Sequence, residues 1–162
     1  IMAEAIAPIK EGEPAPDFIL AASNGDELSL NYFTGKPLVL FFYAKNTAPD
    51  GIKLVCEFRD HHQEFIAIGA RVVGVGVESL DSINKFIAKY RIPFLLLCDT
   101  DMKITRKYGV FRPRDVEGVK VWGIERTTFI IDEQSRIIKI INQPEVPGHC
   151  ESVLQIIKEM KK

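Results

Sequence analysis

The 162-residue sequence has 21 basic and 22 acidic side chains, and this formal net charge of −1 gives no sign of a nucleic-acid-binding surface. Its composition, 46% hydrophobic and 27% charged, is typical of one globular domain, which we expect over residues 1–162. The longest apolar run, 37–44, is too short to span a bilayer, so we expect no membrane association.

The first half of the chain alternates buried strands with amphipathic helices. Apolar runs bounded by turn residues predict strands, and apolar residues spaced three or four apart predict helices. The predicted strands are 37–43, 71–77 and 93–97, and the predicted helices are 50–69, a segment starting at Asp81 or Ser82, and 102–108. Strand-helix-strand connections of this kind make the three strands parallel.

The second half has a different pattern. Residues 111–123 contain proline, glycine and charged side chains and are predicted to form a surface excursion. Strands are predicted at 127–131 and 137–141 with a hairpin turn at 132–135 between them, followed by an amphipathic helix at 151–161. The whole order predicts an α/β protein with a mixed central sheet covered by helices on both faces. This is the arrangement of the thioredoxin-like fold, although periodicity alone supports only a one-domain α/β protein.

Three cysteines, Cys56, Cys98 and Cys150, form a sparse, odd-numbered set rather than a disulfide framework. Free thiols are typical of a reducing compartment, so we expect a cytoplasmic protein. No second ligand accompanies the cysteines at zinc-finger spacing. His61 and His62 are adjacent in a predicted helix and face different ways, with His62 partly against the core and His61 solvated. The sequence therefore predicts neither a metal site nor a cofactor.

Short motifs follow one another in a fixed order along nearly the whole chain. They are GEPAPDF at 12–18, LSL at 28–30, GKP at 35–37, FFY at 41–43, CEFRD at 56–60, KYGV at 107–110 and ERTTFIID at 125–132. Each motif is weak alone. Together they resemble the peroxiredoxin family of the AhpC/TSA type, in the subgroup called bacterioferritin comigratory protein or peroxiredoxin Q. The resemblance implies a thiol-dependent peroxidase with an antioxidant role.

Members of that family reduce hydrogen peroxide and organic hydroperoxides with a cysteine thiolate in the first turn of the helix after the first central strand. The helix dipole and the free N–H groups there lower the pKa of the thiol. In the family's P-x-x-x-T-x-x-C loop, the proline, threonine and attacking cysteine fall on Ala44, Ala48 and Gly51. By the same resemblance, Cys56 matches the resolving cysteine and Arg126 the active-site arginine, and these are the retained catalytic positions.

A rival alignment makes Cys56 the attacking cysteine, with Pro49 seven residues before it and Lys53 in place of threonine. It requires five additional residues after Tyr43 and displaces the motif at 56–60. It also puts the thiol roughly 7–8 Å, about one and a half turns, along the helix and away from the free N–H groups. We therefore prefer the first alignment.

Two functions from different classes remain open. The first is a peroxiredoxin-like protein that lacks standard peroxidase activity because of Gly51, and that acts as a binding or regulatory module with a protein partner. The second is an active thiol peroxidase that uses Cys56 with Arg126 and is recycled by a thioredoxin-like or small-thiol reductant. Either function is compatible with a monomer or a homodimer.

Further expectations concern side chains around the aligned loop. Asp50 either pairs with Arg126, or only caps the helix while Arg126 binds water or an anion. With no thiolate to resolve, Cys56 is favoured as a small apolar residue on the inner side of its helix. Cys98, at a strand end, is expected in the core, whereas Cys150, at the start of the last helix, could be exposed.

Overall fold

The computed structural model describes residues 9–44 and 50–161, with only the backbone of Asp50. Its elements are β1 (Ile19–Ala22), β2 (Glu27–Ser29), a short 3-10 helix (Leu30–Phe33), β3 (Leu38–Phe42), α1 (Asp50–Asp60), α2 (His62–Ala67), β4 (Arg71–Gly76), α3 (Leu80–Tyr90), β5 (Leu96–Cys98), α4 (Lys103–Lys107), β6 (Phe111–Val116), β7 (Val119–Ile124), β8 (Thr127–Ile131), β9 (Ile137–Asn142) and α5 (His149–Met160).

Seven strands form one mixed sheet in the order β2-β1-β5-β4-β3-β8-β9. The central strands β3, β4 and β5 are parallel, and β8 and β9 run antiparallel to their neighbours, which confirms the predicted mixed sheet. Strands β1 and β2 add an antiparallel edge that the sequence did not predict. Both strands are short and have exposed positions, so their apolar signal is weak.

Side chains alternate between the two faces of the sheet along β3, whose residues are at most 1% exposed. Val39 and Phe41 belong to the core that α1, α3 and α5 cover. Leu40 and Phe42 belong to the core on the other face, which the 3-10 helix and α4 cover. Helices therefore lie on both faces of the sheet, as predicted.

The predicted helix 50–69 is two helices, separated at His61, whose backbone has φ −104° and ψ 6°. Phe58 and Phe65 lie on either side of the break and bury against the same core, with ring centroids 5.8 Å apart. Their spacing is therefore compatible with one helix or with two. In the described part of the chain, no helix is both long and apolar enough to cross a membrane.

Two other elements begin at least two residues away from their predicted starts. β5 begins at Leu96 rather than at residue 93, because its pairing with β4 begins where Gly74 meets Leu96. α5 begins at His149 rather than at residue 151, so its first turn includes Cys150. The bounds of these elements depend on partner segments as well as on the local apolar pattern.

Strands β6 and β7 form an antiparallel hairpin outside the central sheet. The predicted surface excursion is confirmed, since residues 112–122 are all exposed. The hairpin itself was not predicted. Its turn residues, Glu117 and Gly118, have φ of 51° and 81°, as in a two-residue turn that Asn-Gly or Asp-Gly usually signals.

Candidate functional site

The first turn of α1 contains a glycine. β3 ends at Phe42, and the buried residues Tyr43 and Ala44 follow it. α1 begins at Asp50, and Gly51 is buried in its first turn. A helix N-terminus presents free backbone N–H groups and the positive end of the helix dipole. This turn therefore offers hydrogen-bond donors and no nucleophilic side chain at residue 51.

Cys56 lies on the same helix, five residues beyond Gly51, as a partly exposed free thiol. Burial raises the pKa of Cys56 above its ordinary value, Arg59 opposes this change, and Asp60 adds to it. The thiol is therefore mainly protonated at neutral pH. Backbone N–H groups in the middle of a helix are already bonded, so this position differs from that of an activated thiolate.

Arg126 directly precedes β8 and is not part of the strand. Its neighbour Thr127 is the antiparallel partner of Phe42, so Arg126 lies beside the C-terminal end of β3. Its half-buried guanidinium donates a hydrogen bond from Nη1 to the carbonyl oxygen of Pro144 at 3.1 Å. Arg112, Arg114 and Arg126 line a cavity of about 170 Å³ together with Glu125, so the charged side chains around it are mainly positive.

The charge of Arg126 reaches the imidazole of His149. Burial, reinforced by the charge of Arg126, lowers the pKa of His149 to about 4. The charged groups that shift the pKa of Cys56 are Arg59 and Asp60, from its own helix. Arg126, one of the two predicted catalytic positions, therefore lies near the start of α5.

The rest of the aligned loop is described only in part. Ala44 is buried just after β3, whereas Ala48 and the side chain of Asp50 lie outside the described residues. The pairing of Asp50 with Arg126 and its alternative, a cap on α1, therefore stay predictions.

Two buried polar side chains that the sequence analysis did not single out join α1 and β8 to α5. Glu57, 8% exposed, accepts hydrogen bonds at Oε2 from the backbone N–H groups of Gly148 (3.0 Å) and Cys150 (3.5 Å). His149, 4% exposed, shares a hydrogen bond of 2.8 Å between its Nε2 and the Thr128 hydroxyl. An acidic residue among the apolar residues of a predicted helix was the available signal for Glu57.

The two remaining cysteines are buried. Cys98, at the end of β5, is 8% exposed, which confirms its predicted place in the core. Cys150 is 0% exposed, so the expectation of an exposed thiol is wrong. The hydrogen bond between its backbone N–H and Glu57 holds this turn of α5 against α1. Burial and nearby carboxylates raise the pKa of both thiols, which makes them poor nucleophiles.

The adjacent histidines face different ways, as predicted. His62 packs on Phe94 with ring centroids 5.4 Å apart, and burial lowers its pKa. His61 is partly exposed rather than fully solvated, with 23% of its side chain exposed. Nδ1 of His61 lies 2.7 Å from Oε1 of Glu64, so the ring is held by a carboxylate at the start of α2.

Comparisons with known proteins agree on one family. The sequence model of the AhpC/TSA family matches residues 12–140. Peroxiredoxin Bcp of Bacillus subtilis (strain 168) is 36% identical over 152 residues, which cover 94% of this chain and 97% of that protein. Chloroplastic peroxiredoxin Q of Populus jackii is 35% identical over 157 residues, which cover 95% of this chain and 70% of that protein.

Solved structures give the same result. A crystal structure of a PrxQ mutant from Xylella fastidiosa has a TM-score of 0.87 at 31% identity and covers 96% of this chain and 99% of that one. A structure of Xanthomonas campestris peroxiredoxin Q has a TM-score of 0.83 at 30% identity, with 90% and 92% covered. These matches confirm the predicted thioredoxin-like fold and the resemblance drawn from the motifs. The chain therefore belongs to the AhpC/TSA family of thiol peroxidases, together with proteins named peroxiredoxin Bcp and peroxiredoxin Q.

Proposed function

We propose that this member of the family lacks the standard peroxidase reaction because Gly51 occupies the position of the attacking cysteine. One observation carries the proposal: Gly51 is buried in the first turn of α1, where the helix dipole and free N–H groups would activate a thiol. Attack on a peroxide needs a thiolate, which is oxidised to a sulfenic acid while the O–O bond breaks. Glycine has no sulfur to supply that electron pair.

In this proposal Cys56 does not replace the missing thiol. It lies five residues further along α1, roughly 7–8 Å along the helix axis. Its pKa is raised by burial, so the reactive thiolate is a minor form at neutral pH. Arg126, which matches the active-site arginine of the family by resemblance, lies close enough to His149 for its charge to help lower the pKa of that imidazole.

A second candidate is an active peroxidase that reduces hydrogen peroxide or organic hydroperoxides through Cys56 with Arg126. The observation in its favour is that Cys56 is partly exposed, whereas Cys98 and Cys150 are buried. A positive charge on Arg59 also opposes the increase in the pKa of Cys56. One solved structure concerns the alkyl peroxide reduction activity of the Xanthomonas campestris bacterioferritin comigratory protein, and this candidate extends that activity to the present chain.

The two candidates imply different partners. A non-catalytic protein would act as a binding or regulatory module for another protein, whereas an active peroxidase would need a thioredoxin-like or small-thiol reductant. Three free thiols fit a reducing compartment, and on this basis we propose a cytoplasmic location. The plant relatives are named chloroplastic, so location varies within the family. A monomer and a homodimer fit either candidate.

Peroxide consumption by the reduced protein distinguishes the candidates. With dithiothreitol or thioredoxin as reductant, we expect wild-type protein to consume hydrogen peroxide no faster than the Cys56→Ser variant does. Because Cys98 and Cys150 are buried, this variant provides the matched background. An organic hydroperoxide is assayed in parallel, with the same expected result.

Wild-type turnover that Cys56→Ser abolishes would overturn the proposal and establish the second candidate. In that case an Arg126→Lys variant shows whether the arginine takes part in the reaction. Lysine keeps the charge and loses the planar guanidinium, so a change in turnover would mean that Arg126 orients the peroxide.

A further inference from the structure

Three side chains with metal-binding atoms meet where α1 and α2 pack against α5. Glu57 and His61 are four residues apart and so lie one helical turn from each other. Glu151 belongs to the first turn of α5. One carboxylate oxygen from each glutamate and one ring nitrogen of His61 all lie within 4.8 Å of one another. Two segments that are distant in the sequence thus bring three ligand atoms to one point.

The Glu57 carboxylate at this point is buried and only half satisfied. One oxygen, Oε2, accepts hydrogen bonds from the backbone N–H groups of Gly148 and Cys150. The other, Oε1, is buried and has no hydrogen-bond partner within residues 9–44 and 50–161. A buried carboxylate oxygen without a donor is costly, and folded proteins usually satisfy it with a donor, a water or an ion.

The ring of His61 is oriented as a metal-binding imidazole is. A carboxylate only accepts hydrogen bonds, so the 2.7 Å contact with Glu64 Oε1 places a hydrogen on Nδ1. The other nitrogen, Nε2, then faces Glu151 Oε2 at 3.8 Å. Histidines that bind a metal through one nitrogen usually donate the other N–H to a carboxylate, and here that carboxylate is already in place.

The charges around His61 favour a cation. Glu57, Glu64 and Glu151 contribute three carboxylates, and a protonated imidazole offsets at most one negative charge. Arg59, the cation at the end of α1, is engaged with Asp60, where Nε and Oδ1 are 2.9 Å apart. A doubly charged ion would compensate this group of side chains better than His61 does alone.

We propose that Glu57, His61 and Glu151 bind one divalent transition-metal ion, with Glu64 positioning the ring of His61. Two carboxylate oxygens and one imidazole nitrogen suit Zn²⁺, which accepts three protein ligands and a water at distances of about 2.0–2.2 Å. Tetrahedral ligands at such distances are about 3.4 Å apart. The three ligand atoms lie within 4.8 Å of one another, so they have to move closer together to bind one ion. Nε2 of His61 and Oε2 of Glu151 are 3.8 Å apart, and the exposed Glu151 side chain can make its part of that movement.

This site is independent of the proposed loss of peroxidase activity, and it stands where the sequence predicted no metal. Metal titration of the full chain tests it without any reference to turnover. Metal-free protein is titrated with Zn²⁺ by isothermal titration calorimetry, and we expect one ion per chain. Glu151→Gln and His61→Gln should each weaken binding by about tenfold or more, because each removes a ligand. Glu64→Gln should weaken it less, because the imidazole remains.

Three variants serve as matched controls. His62→Gln removes the neighbouring imidazole, Glu133→Gln removes an exposed carboxylate elsewhere, and Cys56→Ser removes the partly exposed thiol. All three should bind Zn²⁺ as the wild type does. Circular dichroism establishes whether each variant is folded. If His61→Gln does not fold, the result for Glu151→Gln decides, because residue 151 is exposed and its substitution is not expected to disturb the fold.

Several results would overturn the site. One is the absence of binding at Zn²⁺ concentrations up to about 1 mM, since a dissociation constant above that value means very weak affinity. Another is unchanged affinity in folded Glu151→Gln. A third is loss of binding in Cys56→Ser, which would assign the ion to the thiol.

Discussion

Helix α1 has no reactive side chain at residue 51 in its first turn, yet it carries Cys56 and Glu57 further on, with His61 just beyond its end. The first turn has the free N–H groups and the positive end of the dipole. The later turns have ionisable side chains but no such donors. In the alignment that we propose, the attacking thiol of the family belongs to the first of these two regions, whereas the thiol of α1 in this chain lies in the second.

This difference shows that position along a helix decides the chemistry of a side chain as much as its identity does. The same thiol group is activated by free N–H donors in a first turn and becomes less acidic by partial burial in a middle turn. Four measurements, from the largest expected effect to the smallest, test whether the two ends of α1 differ in this way.

Restoring the family's loop is the strongest test of the N-terminal end. We expect the triple variant Ala44→Pro, Ala48→Thr and Gly51→Cys to reduce peroxide about a thousandfold faster than the wild type or more, still a modest gain beside typical enzymatic accelerations. Peroxide consumption with dithiothreitol measures this gain. The matched control replaces Gly51→Cys by Gly51→Ser in the same background.

Intact mass after peroxide treatment checks the same variant. We expect oxidation of the new thiol at position 51, followed by slow or incomplete disulfide formation with Cys56. Residues five apart in a helix are too distant for a disulfide unless the helix locally unwinds. A variant with no oxidation at residue 51 would show that the alignment on Gly51 is wrong.

Acid titration tests the packing of the last turn of α1, where the rings of Phe58 and His149 have centroids 5.6 Å apart. The folded-state pKa of His149 is lowered to about 4 from 6.5, so the unfolded chain binds a proton between these values and the folded chain does not. The contribution of this neutral imidazole to the free energy of unfolding is complete above pH 6.5. It is lost as the pH falls towards 4, and the loss is about 3 kcal/mol at most.

Urea unfolding followed by circular dichroism, with EDTA present, measures this loss. We expect the stability of His149→Gln to fall less between pH 6.5 and pH 4 than that of the wild type, because glutamine does not titrate. Parallel pH dependence in the two proteins would mean that His149 is protonated equally in the folded and unfolded states.

Removing the buried carboxylate tests whether the C-terminal end of α1 supports α5. Glu57→Ala leaves the N–H groups of Gly148 and Cys150 without their acceptor, and we expect a loss of about 1–3 kcal/mol in the free energy of unfolding. Glu57→Gln keeps an acceptor oxygen and should lose less. Urea unfolding in EDTA gives both values, and equal stability of all three proteins would show that these hydrogen bonds do not hold the two helices together.

The smallest effect concerns the thiol of Cys56. Because its pKa is raised, we expect alkylation by iodoacetamide at neutral pH to be slower than that of free cysteine. The rate should increase as the pH rises past 9. Mass spectrometry locates the label, and Cys56→Ser gives the background. A thiol that reacts faster than free cysteine would instead favour the second candidate.

Much of the sheet was predictable because its strands are continuous apolar runs. β8 is found at the predicted residues, Thr127–Ile131, all of them buried. The parallel orientation of β3, β4 and β5 was also predictable, since helices connect them along the chain. The β6–β7 hairpin was not, because its turn contains Glu117 where asparagine or aspartate is usual, and its exposed strands have no buried face to set a pattern.

The candidate site was predictable only where it is local in sequence. Gly51 and Cys56 lie on one helix, and their spacing alone puts the thiol past the first turn. The link from Arg126 to His149 depends on the packing of α5 against β8, which no local pattern records. The approach of Glu151 to Glu57 likewise depends on how two distant helices meet.

The exposed β6–β7 hairpin has a practical consequence for spectroscopy. Its Trp122 is the single tryptophan of the chain, is 57% exposed, and lies against Phe111 with ring centroids 5.5 Å apart. The emission of this indole in the folded protein is therefore expected to resemble that of a solvated indole. Fluorescence will respond weakly to melting of the central sheet. A shift in emission on mixing with another macromolecule will instead mark contact at the hairpin.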